Sequence, residues 1–389
     1  MRRERTRGIC KSAKSTYDAL ILIDHYLPGI KAGGPVTSIE NLVTELDDLK
    51  FLILTKNFDI DGTLYDVNTN QLVKLGNSDV IYLREKEFKY KYISKVIIDF
   101  DIEFLYINSF FSISTIEFLL KWFYKRKQGL KIVLAPRGQF SPGALNIRSA
   151  TKKKIYLAFF RVFYKNKNII FQATSDLEKT EIINSLGYIN IFVTPNIPSI
   201  STQQDWNATR SNRIVFLSRI SPKKNLIFAL DILKDITFPV TFDIYGFIED
   251  NEYWKNCLKI IADLPEHIKV NYMGILRHDE VVKTLSNYSL FLFPTFGENY
   301  GHVIYEALSA GCPIVITETT PWHDIEAAGV GKIIPLGLRD EYVKAIKYYI
   351  HLEDDKREEI SQLCYNYATY KGRAQEAVLL NHQIFAESK

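Results

Sequence analysis

From Asp18 onwards, short apolar runs alternate with longer helical stretches, and this alternation constrains the fold more than any other feature of the chain. The first runs are ALILID (19–24), FLILT (51–55), VIYL (80–83), FLYIN (104–108), KIVLAP (131–136), NIIFQAT (168–174) and IFVTP (191–195). A helix beginning near Pro35 and the segments SISTIEFLLKWFYKRKQ (112–128) and DLEKTEIINSLG (176–187) fall between them. Continuous apolar strands separated by helices predict a parallel sheet covered on both faces.

The pattern then breaks and restarts. Residues 197–212 are polar, aperiodic and rich in turn formers, which reads as an interdomain linker. A second series follows: RIVFLSR (213–219), VTFDIYG (240–246), HIKVNYMG (267–274), LFLFPT (290–295), CPIVIT (312–317) and KIIPL (332–336). The expected organisation is an α/β protein of two Rossmann-like domains facing each other across a cleft. They would occupy 18–196 and 213–370, after a basic extension at 1–17. Residues 371–389 would form a C-terminal helix able to pack back on the first domain. At 389 residues and 47% hydrophobic content, two cores can be filled.

Charge is uneven. Residues 1–200 carry 29 Lys and Arg against 20 Asp and Glu, a net of +9, while the remainder is net −5. A basic front half fits an anionic partner. Cys10, Cys257, Cys312 and Cys364 form no CxxC pair or metal spacing, which fits reduced thiols and a cytoplasmic protein. No apolar run reaches the ~18 residues of a spanning helix, and no apolar segment backs the basic N-terminus as in a secretory signal.

Three loops hold the candidate chemistry. Gly33 and Gly34 lie between the first strand and first helix, where backbone N–H groups could approach an anion; a plain loop is the competing reading. In SRISPKKN, Arg219 ends a strand and Lys224 stands at the next helix start, so both cations could reach a diphosphate, or be surface charges only. In FGENYGHVIYEALSAGCPIVIT (296–317), Gly301 opens a helix, Glu298 precedes it and Glu306 lies on it. Backbone amides at that helix start could hold phosphate, with carboxylates accepting hydroxyl hydrogen bonds on either side. A sugar nucleotide has that layout. The alternative, a capped helix with an exposed Glu, conflicts with its apolar neighbours Val303, Ile304, Ala307 and Leu308.

Glu298 and Glu306 resemble the E-x7-E motif of retaining GT-B glycosyltransferases of family 4, and PTFGENYGHVIYEALSAGCPIVIT resembles that family's passage over nearly its whole length. FLSRISPKKN is similar to its G-R-L-x-x-x-K-G segment, with Ser218 and Asn225 in place of glycines, and VTPNIP (193–198) is similar to its I-P-N-G passage. The resemblance implies a nucleotide diphosphate-sugar donor (UDP- or GDP-sugar) and a saccharide or lipid-linked acceptor, in capsule, exopolysaccharide or lipopolysaccharide assembly. It implies no cofactor, no metal and no nucleic acid. Arg219 and Lys224 would neutralise the diphosphate. Glu306 would hold ribose hydroxyls and Glu298 the transferred sugar. Asn299, Tyr300, Gly301, His302 and Val303 would surround the distal phosphate or sugar, with Gly33 and Gly34 closing from the first domain. Retention by front-face substitution would need no protein nucleophile.

Arg137 stands where many members of that family have a histidine. Arginine is no general base at neutral pH, but it can bind phosphate or an acceptor hydroxyl; a surface salt bridge is the alternative. The basic, aromatic segments TKKKIYLAFFRVFYKNKN (151–168) and FLLKWFYKRKQ (118–128) read either as core helices with charged ends or as a contact with an anionic membrane surface. The basic front half favours the membrane. Two other functions share this architecture: a sugar-nucleotide epimerase and a non-catalytic nucleotide-sugar-binding partner.

Overall fold

A computed structural model describes residues 17–125, 129–141, 144–145, 150–164, 169–187, 190–198, 212–372 and 375–386. The first domain runs β1 (Ala19–Leu22), α1 (Gly34–Glu45), β2 (Phe51–Lys56), β3 (Leu72–Leu75), β4 (Ser78–Leu83), α2 (Tyr90–Asp99), β5 (Phe104–Asn108), α3 (Ile113–Lys125), β6 (Lys131–Ala135), α4 (Ala150–Tyr164), β7 (Ile169–Ala173), α5 (Asp176–Leu186) and β8 (Ile191–Val193). Its sheet order is β3-β4-β2-β1-β5-β6-β7-β8, parallel except for the antiparallel β3–β4 pair. Successive residues of β1 serve opposite cores: Leu20 and Leu22 pack on one face of the sheet, Ala19 and Ile21 on the other. This double burial is why the strands read as unbroken apolar runs.

The second domain runs β9 (Arg213–Leu217), a 3-10 turn (Pro222–Lys224), α6 (Leu226–Leu233), β10 (Val240–Tyr245), α7 (Asn251–Ala262), β11 (Ile268–Gly274), α8 (His278–Leu285), β12 (Leu290–Phe293), α9 (His302–Ser309), β13 (Ile314–Ile316) and β14 (Gly331–Ile333). Helices α10 (Arg339–Ile350) and α11 (Asp354–Gly372) complete it. The sheet order is β11-β10-β9-β12-β13-β14, all parallel. Its order reverses between β9 and β12, and that of the first domain between β1 and β5. Such switch points open a crevice at the strands' C-terminal ends.

The last helix, α12 (Gln375–Ala386), lies against the first domain. Phe385 packs against Phe51 and Phe104 at ring-centroid distances of 5.3 and 5.1 Å. Burying that ring contributes about 1.5–3 kcal/mol to docking. Residues 1–16 and 199–211, which hold most of the basic extension and the linker, lie outside the described residues. So do Arg126, Lys127 and residues 165–168 of the two basic segments. Helix α4 buries Tyr156 and Phe160 while leaving Ile155 and Val162 exposed. Among the described residues no helix is long and apolar enough to cross a membrane, and Cys257, Cys312 and Cys364 are buried.

Candidate functional site

The loops after β9 and β12 flank the second domain's switch point and are laced together. Asn225 has a left-handed backbone (φ 57°), a conformation that asparagine tolerates better than most residues. Its Nδ2 donates to Pro294 O at 2.9 Å, while Phe296 N donates to Lys223 O at 3.0 Å. The lacing presents Arg219, Lys223 and Lys224 to a cavity of about 280 Å³ between the domains. Arg219 Nη1 lies 3.0 Å from Glu249. Lys224 donates to Glu298, and both side chains are nearly buried. Burial, opposed by Glu298, lowers the Lys224 pKa. Lys223, which the sequence reading passed over, forms no ion pair among the described residues. The element before α6 is a 3-10 turn, so Lys224 closes that turn and does not start the helix itself.

Helix α9 opens at Gly301, whose φ of 78° and ψ of 61° suit glycine; a Cβ there would lie 2.9 Å from Ile304 Cδ1. Trp322 Nε1 fixes the preceding turn by donating to Tyr300 O at 2.6 Å. Across the cleft, α1 opens at Gly33 (φ 67°), and a Cβ on Gly34 would stand 3.9 Å from His302 Cδ2. Neither helix has a side-chain cap, and both N-termini face the cavity; at α1 Pro35 lacks an N–H and the Gly33, Val36 and Thr37 amides are bonded to backbone, which leaves the Gly34 amide. Asn299 and Val303 line it too, and Asn299 abuts Gly138 of the first domain.

His302 joins the domains. Its Nε2 lies 2.9 Å from Ser38 Oγ and 3.5 Å from Asn196 Nδ2. Burial, reinforced by Arg137 and His278, lowers its pKa to about 3, so the ring is neutral at physiological pH. Arg137 Nη1 donates to Asn196 Oδ1, which turns the amide's NH2 towards His302 and makes Nε2 an acceptor. Nδ1 then carries the proton.

Arg137 also lines the cavity. Its Nε donates to Asn108 Oδ1 at 2.9 Å and its Nη2 to Tyr106 OH at 2.7 Å. All three acceptors are neutral, and no carboxylate lies within ion-pair distance among the described residues. The surface salt bridge considered above is therefore not present.

Glu306 is buried on α9, and its Oε1 lies 3.3 Å from Nδ1 of His278, the first residue of α8. That hydrogen bond, against the cost of burial, raises the His278 pKa, with Glu40 of α1 and Asp279 adding to it. Burial raises the Glu40 pKa in turn. A raised histidine pKa stabilises the fold fully below its unfolded value and loses that contribution as pH climbs through the folded value. Accordingly, wild type should gain stability over His278→Gln at about pH 6, by less than about 1 kcal/mol for a partly exposed pair. The gain should vanish by about pH 9. Chemical denaturation at both pH values measures this; a pH-independent difference would exclude the ion pair.

All the sequence-derived candidates thus meet around one cavity: Gly33, Gly34, Arg137, Arg219, Lys224, Glu298, Asn299, Tyr300, Gly301, His302, Val303 and Glu306. His278, Lys223 and Glu40 were not anticipated. The tandem lysines in SPKKN were a visible signal for Lys223, whereas nothing local links His278 to Glu306. Among the described residues no His, Cys, Asp and Glu cluster could hold a metal ion.

Residues 200–366 match the family model described as Glycosyl transferases group 1 and carry a domain of that group. The chain is 26% identical over 122 residues to the sulfoquinovosyl transferase of Arabidopsis thaliana, covering 31% of this chain and 21% of that protein. It is 26% identical over 151 residues to the GtfA subunit of the UDP-N-acetylglucosamine–peptide N-acetylglucosaminyltransferase of Streptococcus agalactiae, covering 37% and 29%. The matches thus span less than a third of either relative. Among solved structures, sucrose-phosphate synthase from Thermosynechococcus elongatus superposes with a TM-score of 0.73 at 12% identity, covering 95% of this chain and 98% of that one. Anabaena HepE, solved with UDP and glucose, gives 0.68 at 18% identity with the same coverage. WaaG, a glycosyltransferase of lipopolysaccharide biosynthesis, gives 0.67 at 13%, covering 95% and 99%. The fold is GT-B-like: two parallel-sheet domains flanking a cleft.

Proposed function

We propose that this chain, whose residues 200–366 carry a glycosyl transferases group 1 domain, moves a sugar from a UDP- or GDP-sugar to a saccharide or lipid-linked saccharide. The observation that carries the reading is the convergence of two uncapped helix N-termini with Arg219, Lys223 and Lys224 in one cavity. Amide dipoles and cations so placed stabilise a diphosphate, and more strongly as it leaves with the bonding electrons. Arg137, with only neutral partners, adds a charge from the opposite domain. Glu306 is spaced along α9 to take ribose hydroxyls, with His278 fixing its carboxylate.

We assign retention of configuration to this family-4-like site. Glu298 is held by Lys224 and lies 3.4 Å from Thr295 Oγ1, a setting suited to positioning rather than nucleophilic attack. The departing phosphate would then take the acceptor proton on the same face, with side-chain cations in the role a metal could otherwise fill. HepE, of similar fold, was solved with UDP and glucose, which supports such a donor. Surface-polysaccharide assembly at the cytoplasmic face of a membrane is the setting we favour. Lys152 and Lys154 are exposed beside the apolar Ile155 and Val162 of α4, which fits contact with anionic lipid.

Calorimetric titration with UDP and GDP tests the reading. One should bind with a Kd on the order of micromolar, and Glu306→Ala should weaken it roughly tenfold or more. Absence of binding by both nucleotides would overturn it.

A further inference from the structure

A second cavity, of about 300 Å³, lies behind the turn that carries Arg137. Phe140, Leu145 and Leu157 wall it, with Lys153, Lys154 and Glu181 at its polar side. Residues 136–141 form the partition: Arg137 lines the interdomain cavity and Phe140 lines the second. The partition is pinned to α5. Gly138 N donates to Glu178 Oε1 at 2.6 Å, while Thr174 N and Oγ1 each donate to Oε2 at 2.8 Å.

Glu178 is thereby fully engaged, whereas Glu181, three residues along the same helix, is not. It is half-buried and makes no hydrogen bond or ion pair among the described residues. Burial pushes its pKa up to about 7, with Glu178 adding and Lys223 of the other domain opposing. Lys153 is committed to Ala144 O at 2.6 Å and to the Phe111 ring at 5.6 Å. Lys154 stays exposed at the rim.

A partly buried carboxylate without donors is satisfied by hydroxyl groups, apolar walls take the C–H face of a ring, and a rim ammonium takes an anion. A saccharide carrying a phosphate or carboxylate supplies all three. We infer that the second cavity binds an anionic saccharide, with Glu181 accepting its hydroxyl hydrogen bonds and Lys154 meeting its anionic group. The ligand class rests on the cavity and not on the glycosyl-transfer reading.

The full chain can be tested by saturation-transfer NMR titration with glucose 6-phosphate, glucuronic acid and methyl glucoside, with UDP affinity measured alongside. An anionic probe should bind more tightly than methyl glucoside. Glu181→Gln should weaken it about tenfold, the scale of a hydrogen bond to a charged group. Lys154→Ala, an exposed change that spares the fold, should reduce it to the level of methyl glucoside. Both variants should keep wild-type UDP affinity. Preference for glucose 6-phosphate over glucuronic acid would identify the anion as phosphate, and the reverse as carboxylate. Equal binding by wild type and Lys154→Ala, or no binding of either anionic probe, would overturn the inference. Loss of UDP binding with the anionic-probe contrast intact would instead remove the donor reading and leave the ligand class standing.

Discussion

Lys224→Ala should cost this protein both its nucleotide binding and a large part of its stability. The ammonium and the Glu298 carboxylate are only 13% and 12% exposed. Removing the cation strands a carboxylate in a poorly solvated place, a change worth about 3–5 kcal/mol where burial is complete. The same substitution deletes a charge aimed at the diphosphate, which should weaken UDP by roughly a hundredfold. The two losses can be separated. Lys224→Ala with Glu298→Ala removes the stranded charge, so its melting temperature should recover towards wild type while UDP affinity stays low. If the double variant binds UDP as wild type does, Lys224 has no part in holding the donor.

Gly246→Ala should be the most damaging single methyl group in the second domain. A Cβ there would stand 1.8 Å from Ser218 O, and the backbone sits at φ +136°. Ser218 N also donates to Tyr245 O at 3.1 Å, so the end of β10 cannot yield without moving the segment that carries Arg219. A loss of about 3 kcal/mol or more is expected from clash and strain together, with weaker UDP binding. Gly274→Ala separates the contributions, because its φ is +82° but a Cβ would meet nothing within 4 Å. It should cost only about 1–2 kcal/mol, the penalty of the dihedral itself. Equal melting temperatures for the two variants would show that backbone approach at Ser218 is unimportant.

Most strands were legible because the central ones are buried on both faces and so read as largely apolar runs, although Gln172 and Asp243 interrupt two of them and β11 is largely exposed. The exception, β3, alternates exposed and half-buried residues at a sheet edge, so LVKL carries no core signature. The site was legible where chemistry and chain order coincide, as with Glu298, Gly301 and Glu306 in one passage. It was illegible where a contact exists only because two domains meet. Nothing near Ser38 in sequence announces His302, and nothing near His302 announces Asn196. Arg137 shows the intermediate case. Its place after β6 could be read from the pattern, but its three neutral acceptors, which leave the charge uncompensated, come from β5 and from the segment after β8. Asn225 in place of a glycine was visible as a departure, and its left-handed backbone explains why the exchange is tolerated.

The return of α12 to the first domain gives the chain a second passage between its halves. The chain passes from Pro198 to Asn212 through a segment whose contour could extend to about 50 Å. Its second passage, from Gly372 to Gln375, spans at most about 11 Å. Both of its ends are embedded: Gly372 against Tyr305 of α9, and α12 through Phe385 and Asn381 in the first domain. A connection of that length keeps Tyr305 of α9 and the start of α12 close together. Gly372 is not among the residues that line the interdomain cavity. The second passage between the domains is therefore anchored on α9 and on the first domain's sheet rather than at the cavity wall.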